Sequence, residues 1–160
     1  MDERFDVVNR VAALGLYVDA LRWNDLLALF TSKVVVDYTS LFGGEARQMT
    51  REDLITDWQA FVPGFTRTQH VIGAVHVTFT QRFAYAEAPV LASHVVKDPA
   101  LEGNDTWLVG GRYEMQIEKH ATEWCIRALS LAGAWAEGNL DLPRIATHRV
   151  QEGLGRDTLS

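Results

Sequence analysis

Cysteine is nearly absent. The chain of 160 residues has one, Cys125, which excludes an internal disulfide and any zinc site built on several thiolates. Its neighbours Trp124 and Ile126 suggest a strand, where a lone thiol is more often packing than a nucleophile. Positive charge is also short: 15 Lys and Arg stand against 21 Asp and Glu, a formal net charge of −6. A broad basic footprint for nucleic acid is therefore not expected. No apolar run approaches the ~20 residues of a membrane span, and the acidic start Met1-Asp2-Glu3-Arg4 does not read as a signal peptide. The expectation is a soluble, cytoplasmic chain with neither a nucleic-acid nor a membrane partner. Close-spaced His-x-His and Glu-x-x-His pairs are missing, so no metal is expected. Gly110-Gly111 lacks the Lys-Ser/Thr ending of a phosphate loop.

Aromatic residues are plentiful, with five Trp, seven Phe and four Tyr. In that number they either fill a core or line a cavity for a flat ligand, and composition does not choose between the two. Hydrophobic residues at 48% and charged residues at 22% are ordinary for a globular chain. No repeat, low-complexity tract or linker divides it, so residues 1–160 read as one domain with a core at about 4–141 and a tail at 142–160.

Residues 4 to 23 have two apolar rows at helical spacing: Val7, Val11, Leu14, Val18, Leu21, and beside them Phe5, Val8, Ala12, Leu16, Trp23. Asn24-Asp25 starts a short second helix over 26–30. Lys33 to Tyr38 reads as a strand, and Thr50 as the N-cap of a third helix that runs to about Phe61. Strands are expected near 69–80, 82–97, 105–119 and 122–135. The polar tail after Asn139 is expected to lie over the surface or the mouth of a pocket. Helices followed by a long antiparallel meander indicate an α+β fold rather than βαβ alternation.

Several polar residues interrupt this pattern. At 100° per residue Asp19 falls between Val8 and Ala12, inside the apolar arc of its helix. A carboxylate there needs a partner or water, unless a bend exposes it at the helix end. His70 opens a strand, and His94 shares a strand side with Ala84, Ala86, Ala88, Val90 and Ala92. That row of small residues would leave empty volume against a packed core and suits a sheet face open to a cavity. Tyr38 closes the first strand, and Tyr113 lies on the row Trp107, Val109, Met115, Ile117. His76, His120 and His148 read as ordinary edge or surface residues. Asp19, His70, Tyr38 and His94 gain meaning as a set.

The run Arg67-Thr68-Gln69-His70-Val71-Ile72-Gly73 and the segment Val36-Asp37-Tyr38-Thr39-Ser40 resemble the SnoaL-like branch of the nuclear-transport-factor-two-like superfamily, and within it the scytalone dehydratases. The resemblance covers the first helix to about Asp141. It implies a cone-shaped, curved antiparallel sheet wrapped around the N-terminal helices, a cystatin-like α+β barrel. It places a catalytic histidine at His70, a catalytic aspartate at Asp19, a water-holding tyrosine at Tyr38 and a second histidine near His94. Where those dehydratases have a further tyrosine this chain has Val18, and Gly111 and Tyr113 stand where they have a serine and an asparagine. Scytalone itself is therefore not the expected substrate.

The resemblance implies a cofactor-independent lyase of dehydratase type, acting on a small cyclic or aromatic carbonyl compound. His70 would be the base, since an imidazole's ordinary pKa of about 6.5 suits proton transfer near neutrality. Asp19 would orient it, Tyr38 would donate to the developing enolate oxygen, and His94 would protonate the departing hydroxyl. Val18, Trp23, Phe42, Trp58, Trp107 and Tyr113 are the expected substrate-binding walls. The same first step serves an isomerase or an aldol-type cyclase. A ligand carrier or assembly module is the rival from another class. The resemblance also implies a homo-oligomer, a trimer rather than a dimer.

Overall fold

The computed structural model describes residues 2–157. Helix α1 spans Glu3–Asp19 and is capped by the Asp2 side chain, which accepts from the Arg4 amide at 2.9 Å. It ends four residues short of the sequence expectation. The physical reason is a turn over residues 20–22, in which Leu21 takes a positive φ of 54° while its side chain stays buried. The second helix α2 accordingly starts at Trp23 and ends at Leu27, and Phe30 already belongs to strand β1, Phe30–Asp37.

A short helix α3, Thr39–Phe42, and strand β2, Arg47–Thr50, lead into α4, Arg51–Gln59. Thr50 caps α4 as its sequence indicates, accepting from the Asp53 amide at 3.1 Å. A 3-10 turn at Val62–Gly64 contains Pro63. Strands β3 (Arg67–Ile72), β4 (His76–Phe79), β5 (Phe83–Val95), β6 (Thr106–His120) and β7 (Glu123–Gly138) follow. The expected strand at 69–80 is thus two strands, divided at 73–75. The tail contains a helix that the sequence reading did not anticipate, α5 at Leu142–Gln151.

The strands form one curved, unclosed sheet in the order β2-β1-β7-β6-β5-β3, with β4 also paired to β5. All pairings are antiparallel except β1 with β7, which is parallel, so the expected antiparallel sheet is mixed at that one place. Register shifts at Gly110/Arg112 and Gln116/Ile117 bend β6 and β7. The helix α1 lies against β3, β4, β5 and β7. Its buried row Val7, Val11, Leu14 and Val18 supplies one side of the core. Among the described residues, no helix is long and apolar enough to cross a membrane.

Candidate active site

Antiparallel pairing puts directly opposed residues on one sheet face. His70 opposes Ala92, Thr68 opposes His94, and His94 opposes Trp107. All five therefore share the face that looks toward α1, and all line a cavity of about 400 Å³, within the range of small-molecule sites. Val18, Tyr38, Phe42, Trp58 and Tyr113 line it too, as do Leu14, Phe61 and the α5 residues Pro143, Arg144 and Thr147. Trp23 does not. The early end of α1 places it at the head of α2, half-buried against the hydrophobic core, which corrects its assignment as a substrate wall.

Asp19 is the last residue of α1, yet its side chain is not turned out to solvent. Its Oδ1 accepts from the Thr68 hydroxyl at 2.9 Å and meets His70 Nδ1 at 2.7 Å, and its Oδ2 accepts from the His70 amide at 2.7 Å. A carboxylate with three such partners is satisfied without leaving the apolar face. Because Asp19 only accepts, the neutral His70 ring carries its proton on Nδ1 and keeps the Nε2 lone pair for the cavity. Close approach makes this contact feasible. Gly15 faces β3 so tightly that a Cβ there would sit 3.2 Å from the His70 Cβ.

His94 is buried, and its Nδ1 lies 3.1 Å from the Trp107 carbonyl. Its ring centroid is 5.6 Å from that of His70 and 4.4 Å from that of Trp107. Desolvation, and then the nearby His70, hold its pKa down at about 4, against weaker opposing effects of the Trp107 carbonyl and Asp19. His94 is therefore neutral near pH 7, with Nδ1–H given to Trp107 and Nε2 left as an acceptor. That state is wrong for the proton donor expected from the sequence.

Tyr38 and Tyr113 both line the cavity, and each perturbs the other's phenol. Desolvation above all raises both phenols, Tyr113 to about 12, with Asp19 adding to the rise there. Both remain neutral donors at ordinary pH. The aromatic wall continues through Phe65, stacked on Trp107 at 6.2 Å, and Phe61, set edge-on to both.

The sequence reading passed over Thr68, although it stands two residues before His70 and strand alternation puts both on one face. It also passed over Arg156, in the segment after α5. Arg156 donates to the Asp19 and Phe65 carbonyls and to the Thr68 hydroxyl, at 3.0, 3.1 and 2.9 Å. No local pattern marks that residue. Among the described residues, no three His, Cys, Asp or Glu side chains are grouped to hold a metal ion.

The description "SnoaL-like domain" belongs to the family model that matches residues 1–130. Among solved structures, the chain is similar to the Kfla4162 protein of Kribbella flavida, with 25% identity over 88% of this chain and 96% of that one, at a TM-score of 0.82. It is also similar to a candidate scytalone dehydratase of Novosphingobium aromaticivorans, at 18% identity, 86% and 87% coverage and a TM-score of 0.68. A third is hexachlorocyclohexane dehydrochlorinase LinA-type3 of Novosphingobium barchaimii, at 15% identity, 86% coverage of each chain and a TM-score of 0.63. At such identities the last two show the shared fold alone. No curated protein matches the chain. Since the family model spans well over half of the sequence, the chain belongs to the SnoaL-like domain family.

Proposed function

We propose that this protein is a cofactor-independent lyase that removes water from a cyclic or aromatic carbonyl compound carrying a β-hydroxyl. The observation that carries the reading is the Asp19–His70 pair, 2.7 Å apart at the wall of a largely apolar cavity. His70 Nε2 takes the acidic proton beside the carbonyl, and the C–H electrons pass into an enolate. Asp19 stabilises the imidazolium that results, as a carboxylate does behind a histidine base.

The Tyr38–Tyr113 pair supplies a neutral O–H donor for the enolate oxygen. One such donor in a dry site contributes ~3 kcal/mol to the barrier. The enolate then collapses, the C–O bond breaks, and the departing hydroxide takes a proton to leave as water. His94, held neutral, does not supply that proton, so it is the one His70 has just accepted. His94 Nε2 instead accepts a hydrogen bond from the substrate hydroxyl and orients it. Returning the same proton to a different carbon would make the enzyme an isomerase, and a single shuttling base serves that outcome equally well.

The test uses a panel of β-hydroxy cyclic ketones, beginning with 3-hydroxytetralone. Exchange of the α-hydrogen in deuterated buffer and growth of the aromatic product absorbance are followed together. Product formation identifies the lyase, and exchange with double-bond migration identifies the isomerase. Replacing His70 with Ala should slow either reaction roughly 10²–10⁴-fold, the usual weight of a general base. Turnover that survives the substitution undiminished would refute both versions.

A further inference from the structure

Asp19 sits where a negative charge is poorly placed. It is the C-terminal residue of α1, whose last turn has no basic residue of its own, and a helix dipole presents its negative end there. The positive charge comes from far along the chain. The segment after α5 runs back across the 3-10 turn, where the Arg156 amide donates to the Pro63 carbonyl at 2.8 Å. The half-buried Arg156 side chain then reaches three acceptors, namely the Phe65 carbonyl through Nε, the Asp19 carbonyl through Nη1 and Thr68 Oγ1 through Nη2.

The direction of the last bond matters. A guanidinium only donates, so it turns the Thr68 oxygen into an acceptor on that side. The one proton of the Thr68 hydroxyl is left to point at Asp19 Oδ1, 2.9 Å away. That is the same oxygen that meets His70 Nδ1. A chain of oriented donors thus runs from Arg156 through Thr68 to the carboxylate that selects the His70 tautomer.

We propose that Arg156 is a positioning residue of the active site, acting through Thr68 and Asp19 to hold His70 with its proton on Nδ1 and Nε2 free toward the cavity. The inference rests on His70 being the base, as argued above. The segment at 152–157 is then part of the catalytic assembly, with no atom needed on the substrate. Arg156 also offsets the unfavourable helix end at Asp19, and Thr68 has a role that packing alone would not require.

The experiment observes His70 directly and needs no substrate. In ¹⁵N-labelled full-length protein at about pH 8, long-range ¹H–¹⁵N spectra report which ring nitrogen carries the proton and how fast that proton exchanges. Wild type should show His70 as the Nδ1–H tautomer. Asp19→Asn should shift it toward Nε2–H, the form a free neutral imidazole prefers.

Arg156→Gln should move His70 in the same direction. Nδ1-proton exchange should rise about tenfold or more, the weight of one charge-assisted hydrogen bond, while the signals of exposed His120 and His148 stay in place. Thr68→Val is the second variant. It leaves Arg156 its three backbone carbonyls and keeps the segment pinned, so a change at His70 there reports the lost Thr68–Asp19 bond and not release of the segment. The role of Arg156 itself is read from Arg156→Gln, where an unmoved His70 overturns it. The relay predicts the change seen in Arg156→Gln.

An unmoved His70 in Thr68→Val overturns the relay even if Arg156→Gln proves too unstable to study. If Asp19→Asn moves His70 and the other two variants do not, Arg156 has no positioning role and the Asp19–His70 reading stands. If Asp19→Asn also leaves His70 unmoved, the proposed function falls with the inference.

Discussion

Burial disfavours the charged form of an imidazole, and at His94 this links the cavity wall to stability. With a folded pKa of about 4 and an unfolded one of about 6.5, the unfolded chain binds a proton over a pH range in which the folded chain refuses it. The contribution is fully present above pH ~6.5 and is lost as the pH falls toward 4. Over that range it amounts to about 3 kcal/mol. Urea unfolding at pH 7.5 and pH 4.5 should therefore show a smaller acid-side loss in His94→Gln than in wild type, by roughly 2 kcal/mol. Equal losses would show that His94 carries its charge in the folded state. Asp19 was legible because a carboxylate broke the apolar face of its helix, and its pairing with His70 came from the resemblance of the run around His70 to the family. The neutrality of His94 was not legible, because it depends on desolvation by packing across three strands and on the nearness of His70.

Two close approaches between elements decide whether the site is assembled. At Gly64 a Cβ would lie 1.9 Å from the Ala146 carbonyl oxygen of α5, a clash with backbone that no rotamer relieves. Arg149 fastens the same contact, donating to the Gly64 carbonyl at 2.9 Å and pairing with Asp98 at 2.6 Å. Since α5 contributes Pro143, Arg144 and Thr147 to the cavity, Gly64→Ala should loosen the cavity rim and lose about 1–3 kcal/mol, the range for overpacking. Unchanged urea stability together with unchanged amide exchange in α5 would contradict this. At Gly15 the crowding is milder, with His70 Cβ and Ile72 Cδ1 at 3.2 Å from a built Cβ. Gly15→Ala gains about 1 kcal/mol of helix propensity and spends it on pushing β3 away. Its melting temperature should barely move while the His70 Nδ1 proton exchanges faster. A higher melting temperature with an unaltered His70 would show slack between α1 and β3. Neither the short α5 nor the break at Leu21 was legible in the sequence. The tail is polar around its few apolar residues, and an apolar row running past Asp19 to Trp23 gives no sign of a residue in the left-handed region.

Across the whole molecule, one sheet face does two jobs, and the small residues of β5 show where one gives way to the other. The sequence suggested that Ala84, Ala86, Ala88, Val90 and Ala92 together front a cavity. Only Val90 and Ala92 do so, while Ala84, Ala86 and Ala88 are buried at 2% exposure or less in the packed core. The reason is that α1 lies over this part of the sheet, and small side chains let a helix approach without leaving the empty volume that the sequence reading assigned to them. The cavity opens along the last turns of α1, where Leu14, Gly15 and Val18 line it, so the Asp19–His70 pair lies on the cavity side of the boundary between packed core and open space. The same substitution on either side of that boundary should behave differently. Ala86→Leu adds volume where none is free and should lose about 1–3 kcal/mol in urea unfolding. Ala92→Leu, opposite His70 in the register, adds it to the cavity and should stay within about 1 kcal/mol of wild type, while weakening binding of any cyclic ketone that the wild type accepts. Equal losses at the two positions would mean that core and cavity are not separated at the end of α1, and that this face is packed as one.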